Sequence, residues 1–177
     1  TEPATPSTLI SCFPQEPSPL KSFREHAAAG AWREAQAEGA ALFATELSDT
    51  VRSELATKGM EINERLFTTL DPQEVETYEI QSGDSLIRVA QKFKHLKGAF
   101  GPILLLNGMR DPNATLRLGR KLKIPKGIWS IVVDKSLFKL FLCHEGTPYK
   151  TFTVTIGTDL KTPAGEFKIG TKNPKPS

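Results

Sequence analysis

Apolar positions recur at helical spacing from about residue 20 to residue 70 and at strand spacing through the last fifty residues, with a short mixed stretch between. Ser18-Pro19 forms a cap and first-turn pair that predicts a helix running to about Ala29, where Gly30 stops it. Trp32, Ala35, Gly39 and Leu42 give the face of a second helix. The small residues Ala27, Ala28, Ala35 and Gly39 would let these two helices approach closely. Val51, Leu55, Gly59, Ile62 and Leu66 hold one stripe of a third helix until Asp71-Pro72 breaks it. Tyr78 and Ile80 then alternate with Glu79 and Gln81 as in a half-buried strand. Ser82-Gly83-Asp84-Ser85 turns the chain, Gly83 being suited to a positive φ and Asp84 or Ser85 to a helix cap. Leu86, Val89, Ala90 and Phe93 line one face of the helix that follows, and Pro102 to Asn107 fits a second short one. Leu118 to Pro125 closes this stretch as a strand.

After Lys126-Gly127 the pattern is purely β. Ile131 to Asp134, Leu137 to Leu142 and Phe152 to Ile156 are strand candidates, the last with Phe152, Val154 and Ile156 expected inward and Thr153 and Thr155 outward. Asp134-Lys-Ser and Glu145-Gly-Thr-Pro148 read as the connecting turns, and Lys168-Ile169 as the start of a further strand. Residues 1–19 are rich in Pro, Ser and Thr without periodicity, the composition of a disordered tail. Residues 71–76 serve as a linker.

Tyr78-Glu-Ile-Gln-Ser-Gly-Asp-Ser-Leu86, followed by Asn107 and by Leu122-Lys-Ile-Pro125, resembles the LysM module. That resemblance implies a βααβ fold over residues 77–126 that grips N-acetylglucosamine polymers such as peptidoglycan. The departure from the family pattern is the long inter-helix connection Lys94 to Gly101. In the family, sugar lies in a shallow groove between the first strand–helix loop and the second helix–strand loop. Carried over, these are Gly83, Asp84, Ser85 and Leu86 on one side, and Met109, Arg110, Asp111, Pro112 and Asn113 on the other. Turn amides there would hydrogen-bond an N-acetyl sugar, with Leu86 and Met109 offering apolar contact to its methyl group.

Ile131-Val-Val-Asp134, the hairpin after it and Thr162-Pro-Ala-Gly-Glu-Phe167 resemble the opening of an L,D-transpeptidase catalytic domain of the ErfK/YbiS/YkuD type, here over residues 128–177. Those enzymes cross-link peptidoglycan stem peptides through a cysteine acyl-enzyme. Their His-Gly and Ser-x-Gly-Cys segments find no match, because residues 168–177 hold neither His nor Cys. No catalytic residue can therefore be assigned, and this chain alone is expected to be inactive. Its strands are expected to keep unpaired edges and to exchange amide hydrogens rapidly, whereas residues 77–126 stay protected. Cys143-His144 does not replace the missing dyad, since neighbours on a strand point to opposite faces. Cys12, His26, His95, Cys143 and His144 lack zinc-ligand spacing, so neither metal nor cofactor is expected.

Ala29-Gly-Ala-Trp-Arg-Glu-Ala35 loosely resembles the turn of a tetratricopeptide hairpin, which would make residues 20–70 a helical, TPR-like segment with an unknown protein partner or a simple spacer. Charge follows the same divisions. Residues 1–76 carry 6 Lys+Arg against 13 Asp+Glu, and residues 77–127 carry 10 against 3. The basic middle would draw anionic wall polymers or stem-peptide carboxylates, while few aromatics and no recognised motif argue against nucleic acid. No apolar run reaches the length of a membrane span. The expectation is an α+β chain: a helical N-terminal segment, a βααβ LysM module, then antiparallel strands of an incomplete all-β L,D-transpeptidase domain. It would act in the cell envelope, in the periplasm or wall, its signal or anchor missing from the chain. LysM would hold a transpeptidase on glycan strands and near stem peptides; the alternative is a non-catalytic wall-binding protein.

Overall fold

A computed structural model describes residues 19–70, 72–96, 99–157, 161–168 and 170. The Pro/Ser/Thr-rich tail up to Ser18, Cys12, the Lys97-Gly98 part of the long connection and the strand expected at Ile169 lie outside the described residues.

Three helices come first: α1 (Lys21–Ala28), α2 (Trp32–Phe43) and α3 (Asp49–Thr68). Ser48 caps α3, its hydroxyl accepting from the Val51 amide. A two-stranded ribbon follows, β1 (Val75–Glu79) antiparallel to β2 (Lys121–Pro125), enclosing α4 (Leu86–Lys92), a 3-10 turn at Lys94–Leu96 and α5 (Gly101–Leu106). This stretch has its own core of Ile80, Leu86, Val89, Ala90, Leu96, Ile103, Leu122 and Ile124. Its helices and strands fall where the hydrophobic pattern puts them, with β1 starting earlier and β2 later than expected.

The last three strands, β3 (Trp129–Asp134), β4 (Lys139–His144) and β5 (Thr147–Thr153), form an antiparallel meander. Here the strand boundaries differ from the sequence reading. Glu145 (φ 48) and Gly146 (φ 77) make a tight two-residue turn, so β5 begins at Thr147 and includes Pro148. Pro148 is tolerated because it sits at the first turn of an outer strand, opposite Cys143, where the register shifts between Leu142 and Cys143. Phe152, expected inward, is 43 % exposed, and Thr151 points to Met60 of α3, 3.5 Å away, while Thr153 and Thr155 are exposed and Val154 and Ile156 half-buried, as expected. Residues 154–156 are not in a strand.

One face of this meander is covered by the helices. Leu20, Phe23, Ala35, Phe43, Leu55, Ala56, Ile62 and Leu66 share a single core with Phe141 and Cys143. Phe43 and Phe141 meet edge to face at 5.2 Å. Gly59 lets α3 approach β5: a Cβ there would fall 2.8 Å from Thr147 Cγ2. At the far end Arg52 pairs with Asp134 at 3.3 Å, both side chains mostly buried. Helices and strands that the sequence presents as separate units thus form one helix–sheet body. The other face keeps Ile131, Val133 and Phe152 exposed, as expected of strands with no cover there.

Candidate functional site

β1 and β2 are paired so that Glu79 opposes Lys121, and the ladder runs on through Ile80 N–H to Arg120 O (3.0 Å) and Gly119 N–H to Ile80 O (2.9 Å). Residues 81–85 leave β1, and residues 107–120 enter β2, at that same end of the ribbon. The topology therefore puts the start of the first loop and the end of the second at one end of the ribbon.

The first loop is built around Asp84. Its carboxylate accepts from Tyr78 Oη (2.7 Å), Gln81 N–H (2.8 Å) and Lys92 Nζ (2.8 Å), and the side chain is only 6 % exposed. Lys92 also donates to Tyr78 Oη. The Lys92 ammonium, Tyr78 hydroxyl and Gln81 amide hold the Asp84 carboxyl at about 2, below its ordinary 3.8. Gly83 takes φ +79, its carbonyl accepts from Arg88 (2.8 Å), and Ser85 Oγ caps α4. Two expected contacts need correction here. Leu86 is 2 % exposed and belongs to the core, so its side chain offers no surface to a sugar methyl. Asp84 is committed to the loop itself. The exposed apolar group is Ile87, at 52 %, which the helical stripe of Leu86, Val89 and Ala90 leaves outside the core by spacing alone.

The second loop hangs on Asn107. Its amide donates to Ile103 O (2.8 Å) and Lys123 O (2.7 Å) and accepts from Lys123 N–H (3.0 Å), fastening the end of α5 to β2. Met109 packs half-buried on the core, while Arg110, Asp111, Pro112 and Asn113 are exposed. Asp111 Oδ1 accepts the Asn113 N–H (2.8 Å), an Asx turn that fixes the tip. The second loop thus presents exposed peptide groups, one guanidinium and one side-chain amide next to the half-buried Met109, and the first loop presents Ile87.

Residues 78–125 match the family model of the LysM domain. Residues 129–177 match that of the L,D-transpeptidase catalytic domain. The chain carries a LysM domain followed by a segment of an L,D-transpeptidase catalytic domain. No curated protein and no solved structure matches the chain. LysM gives the chain a peptidoglycan-binding character, and the second match gives it an L,D-transpeptidase context and a place among wall-associated proteins.

In the transpeptidase segment, Thr162 anchors the stretch after β5: its hydroxyl accepts from the Gly157 amide (2.8 Å), and its carbonyl from Lys135 Nζ (3.3 Å). Cys143 and His144 diverge. The thiol is fully buried in the shared core, and burial pushes it up to about 12, the wrong direction for a thiolate nucleophile. His144 enters a polar network that the sequence reading did not anticipate, with Gln36, Asn63 and Glu74. No pattern marks these four, because each comes from a different stretch. Among the described residues no group of three or more His, Cys, Asp or Glu is placed to hold a metal ion, and no helix is long and apolar enough to cross a membrane.

Proposed function

We propose that the chain binds the N-acetylglucosamine glycan of peptidoglycan through the LysM loops and thereby targets L,D-transpeptidase chemistry to the cell wall, in the periplasm or wall of the envelope. Stem peptides carried on the same glycan are then the substrates brought near the transpeptidase segment. The sugar lies against Gly83, Ser85, Met109, Arg110, Asp111, Pro112 and Asn113, with Ile87 in the apolar role first assigned to Leu86. Asp84 shapes the first loop from beneath. The chain's domains are then LysM, from β1 at Val75 to Lys126, and a body made of the helical segment at 20–70 and the transpeptidase segment from 128, joined through residues 71–74.

The observation that carries this reading is that both loops adjoin the same end of the β1–β2 ribbon, the first fastened by the Ser85 cap and the second by the Asp111 turn. Rigid exposed peptide groups recognise N-acetyl groups at low ordering cost. The test is a titration of the chain with a soluble N-acetylglucosamine oligomer, followed by amide chemical shifts. Perturbation confined to residues 82–88 and 107–114 supports the site. An equal response to an unacetylated glucosamine oligomer, or shifts scattered over the helices, removes it.

A further inference from the structure

The buried polar and charged residues of the described chain, Gln36, Asn63, Glu74, His144 and Thr147, form one network. Asn63 of α3 donates to the carbonyls of Thr147 (3.2 Å) and Pro148 (2.9 Å), which fixes its amide. Its Oδ1 accepts from Gln36 of α2 at 2.9 Å, and Thr147 Oγ1 donates to the Gln36 carbonyl at 2.7 Å. His144 Nε2 lies 2.8 Å from Lys126 O, so that nitrogen carries the proton, and Nδ1 accepts from Gln36 Nε2 at 3.3 Å. Glu74 sits 3.5 Å from His144 Nε2 and 3.3 Å from Arg33.

Two members of this network, Glu74 and the Lys126 carbonyl, lie where the chain enters and leaves the LysM domain. These two points are tied together by Lys126 N–H to Glu74 O (2.7 Å) and Lys126 Nζ to Pro72 O (2.8 Å). Gly127, the next residue, has φ +82, and a Cβ there would stand 2.5 Å from His144 Nε2 and 2.6 Å from Glu145 Oε1. The neck is pressed directly against the network. The LysM core and the helix–sheet core share no residue. The hydrogen bond and ion pairs that join the two lie at the neck, where rotation would strand a 6 %-exposed carboxylate and a buried imidazole without partners.

We propose that this network is a clamp that seats the LysM domain in one orientation on the helix–sheet body, so that the glycan-gripping loops and the transpeptidase segment move as a single unit. A tether would leave the enzyme segment free to sample every direction around a bound glycan; a clamp presents it at one offset and one angle. That consequence rests on the glycan-binding reading above, whereas the clamp itself does not.

The experiment is a set of amide residual dipolar couplings on the 177-residue chain without glycan. One alignment tensor is expected to fit residues 72–126 together with α1–α3 and β3–β5. Two different tensors would overturn the clamp. Gly127→Ala should split the single tensor into two while the amide shifts of the LysM core stay in place. If it instead unfolds the helix–sheet body, Glu74→Gln, which keeps the volume and removes the charge facing Arg33 and His144, is the variant to read. A retained single tensor in the folded variant would mean that something other than this network holds the neck. Failure to bind an N-acetylglucosamine oligomer would leave the tensors unchanged, so the two readings fail separately.

Discussion

Asn107 shows how much one side chain can carry in a two-stranded ribbon. Among the described residues β2 pairs only with β1, and the Asn107 amide meets both peptide groups of Lys123 while holding the Ile103 carbonyl at the end of α5. Asn107→Ala leaves those groups without their partners and should cost about 2–3 kcal/mol in urea unfolding of the LysM domain. Asp84 acts in the same way on the other loop, and its charge is what the loop uses. Its carboxyl titrates at about 2 folded against 3.8 unfolded, so the unfolded chain takes up the proton first on acidification. The stabilisation is whole above pH 3.8 and fades as pH falls towards 2. In a carboxyl NMR titration, Lys92→Met should raise the Asp84 midpoint, because it removes the largest cause of the depression; an unmoved midpoint would show that Lys92 does not hold it. The sequence marks Asp84 and Leu86 as notable but not which way they face. A motif gives spacing from a turn, whereas exposure depends on which partners the fold delivers, here Tyr78, Gln81 and Lys92.

Elements were more legible than residues where periodicity and packing had the same cause. α3 and α4 follow their apolar stripes because those stripes are their buried faces. β5 escaped because a proline two residues past a turn reads as part of the turn, and because Phe152 looks like a core residue while facing outward. The docking of α3 on β5 was hidden as well, since Gly59 looks like a weak point in a helix and is in fact the contact. Gly59→Ala places a methyl 2.8 Å from Thr147 Cγ2 and 3.3 Å from the Pro148 carbonyl. It should destabilise the helix–sheet body by about 1–3 kcal/mol in thermal or chemical unfolding, despite raising helix propensity. A neutral or stabilising result would mean that α3 does not pack this closely. His144 gives the same body a pH signature. Burial pushes its pKa below 6.5, outweighing the Lys126 carbonyl, Glu74 and Glu145, which favour the cation, while Arg33 faces the Glu74 carboxylate from α2. The unfolded state binds the proton first, so stability falls as pH drops below 6.5 and levels off beneath the folded pKa. His144→Phe should abolish that slope, whatever it does to stability at neutral pH.

At the scale of the molecule the order of the modules was readable but the assembly was not. Charge and motif both divide the chain at the LysM domain, and nothing in the pattern says that the segments on either side close over each other. The reason is physical: helices α1–α3 have an apolar face and no sequence-local partner for it, while β3–β5 have one face that needs cover, and only the tertiary structure matches them. The hydrogen-exchange map therefore changes from the one expected of bare strands. Phe141 and Cys143 are at most 2 % exposed beneath helices of the shared core, so amides of β4 should open only when the whole helix–sheet body unfolds. A chain beginning at residue 71 keeps every core residue of the LysM domain and loses all the helical ones of the other core. In it residues 72–126 should retain their protection while residues 129–153 exchange at near-random-coil rates or drive aggregation through their uncovered face. Slow exchange of β4 without the helices would mean that the meander is stabilised from its other side, and that Ile131, Val133 and Phe152 are covered in solution rather than exposed.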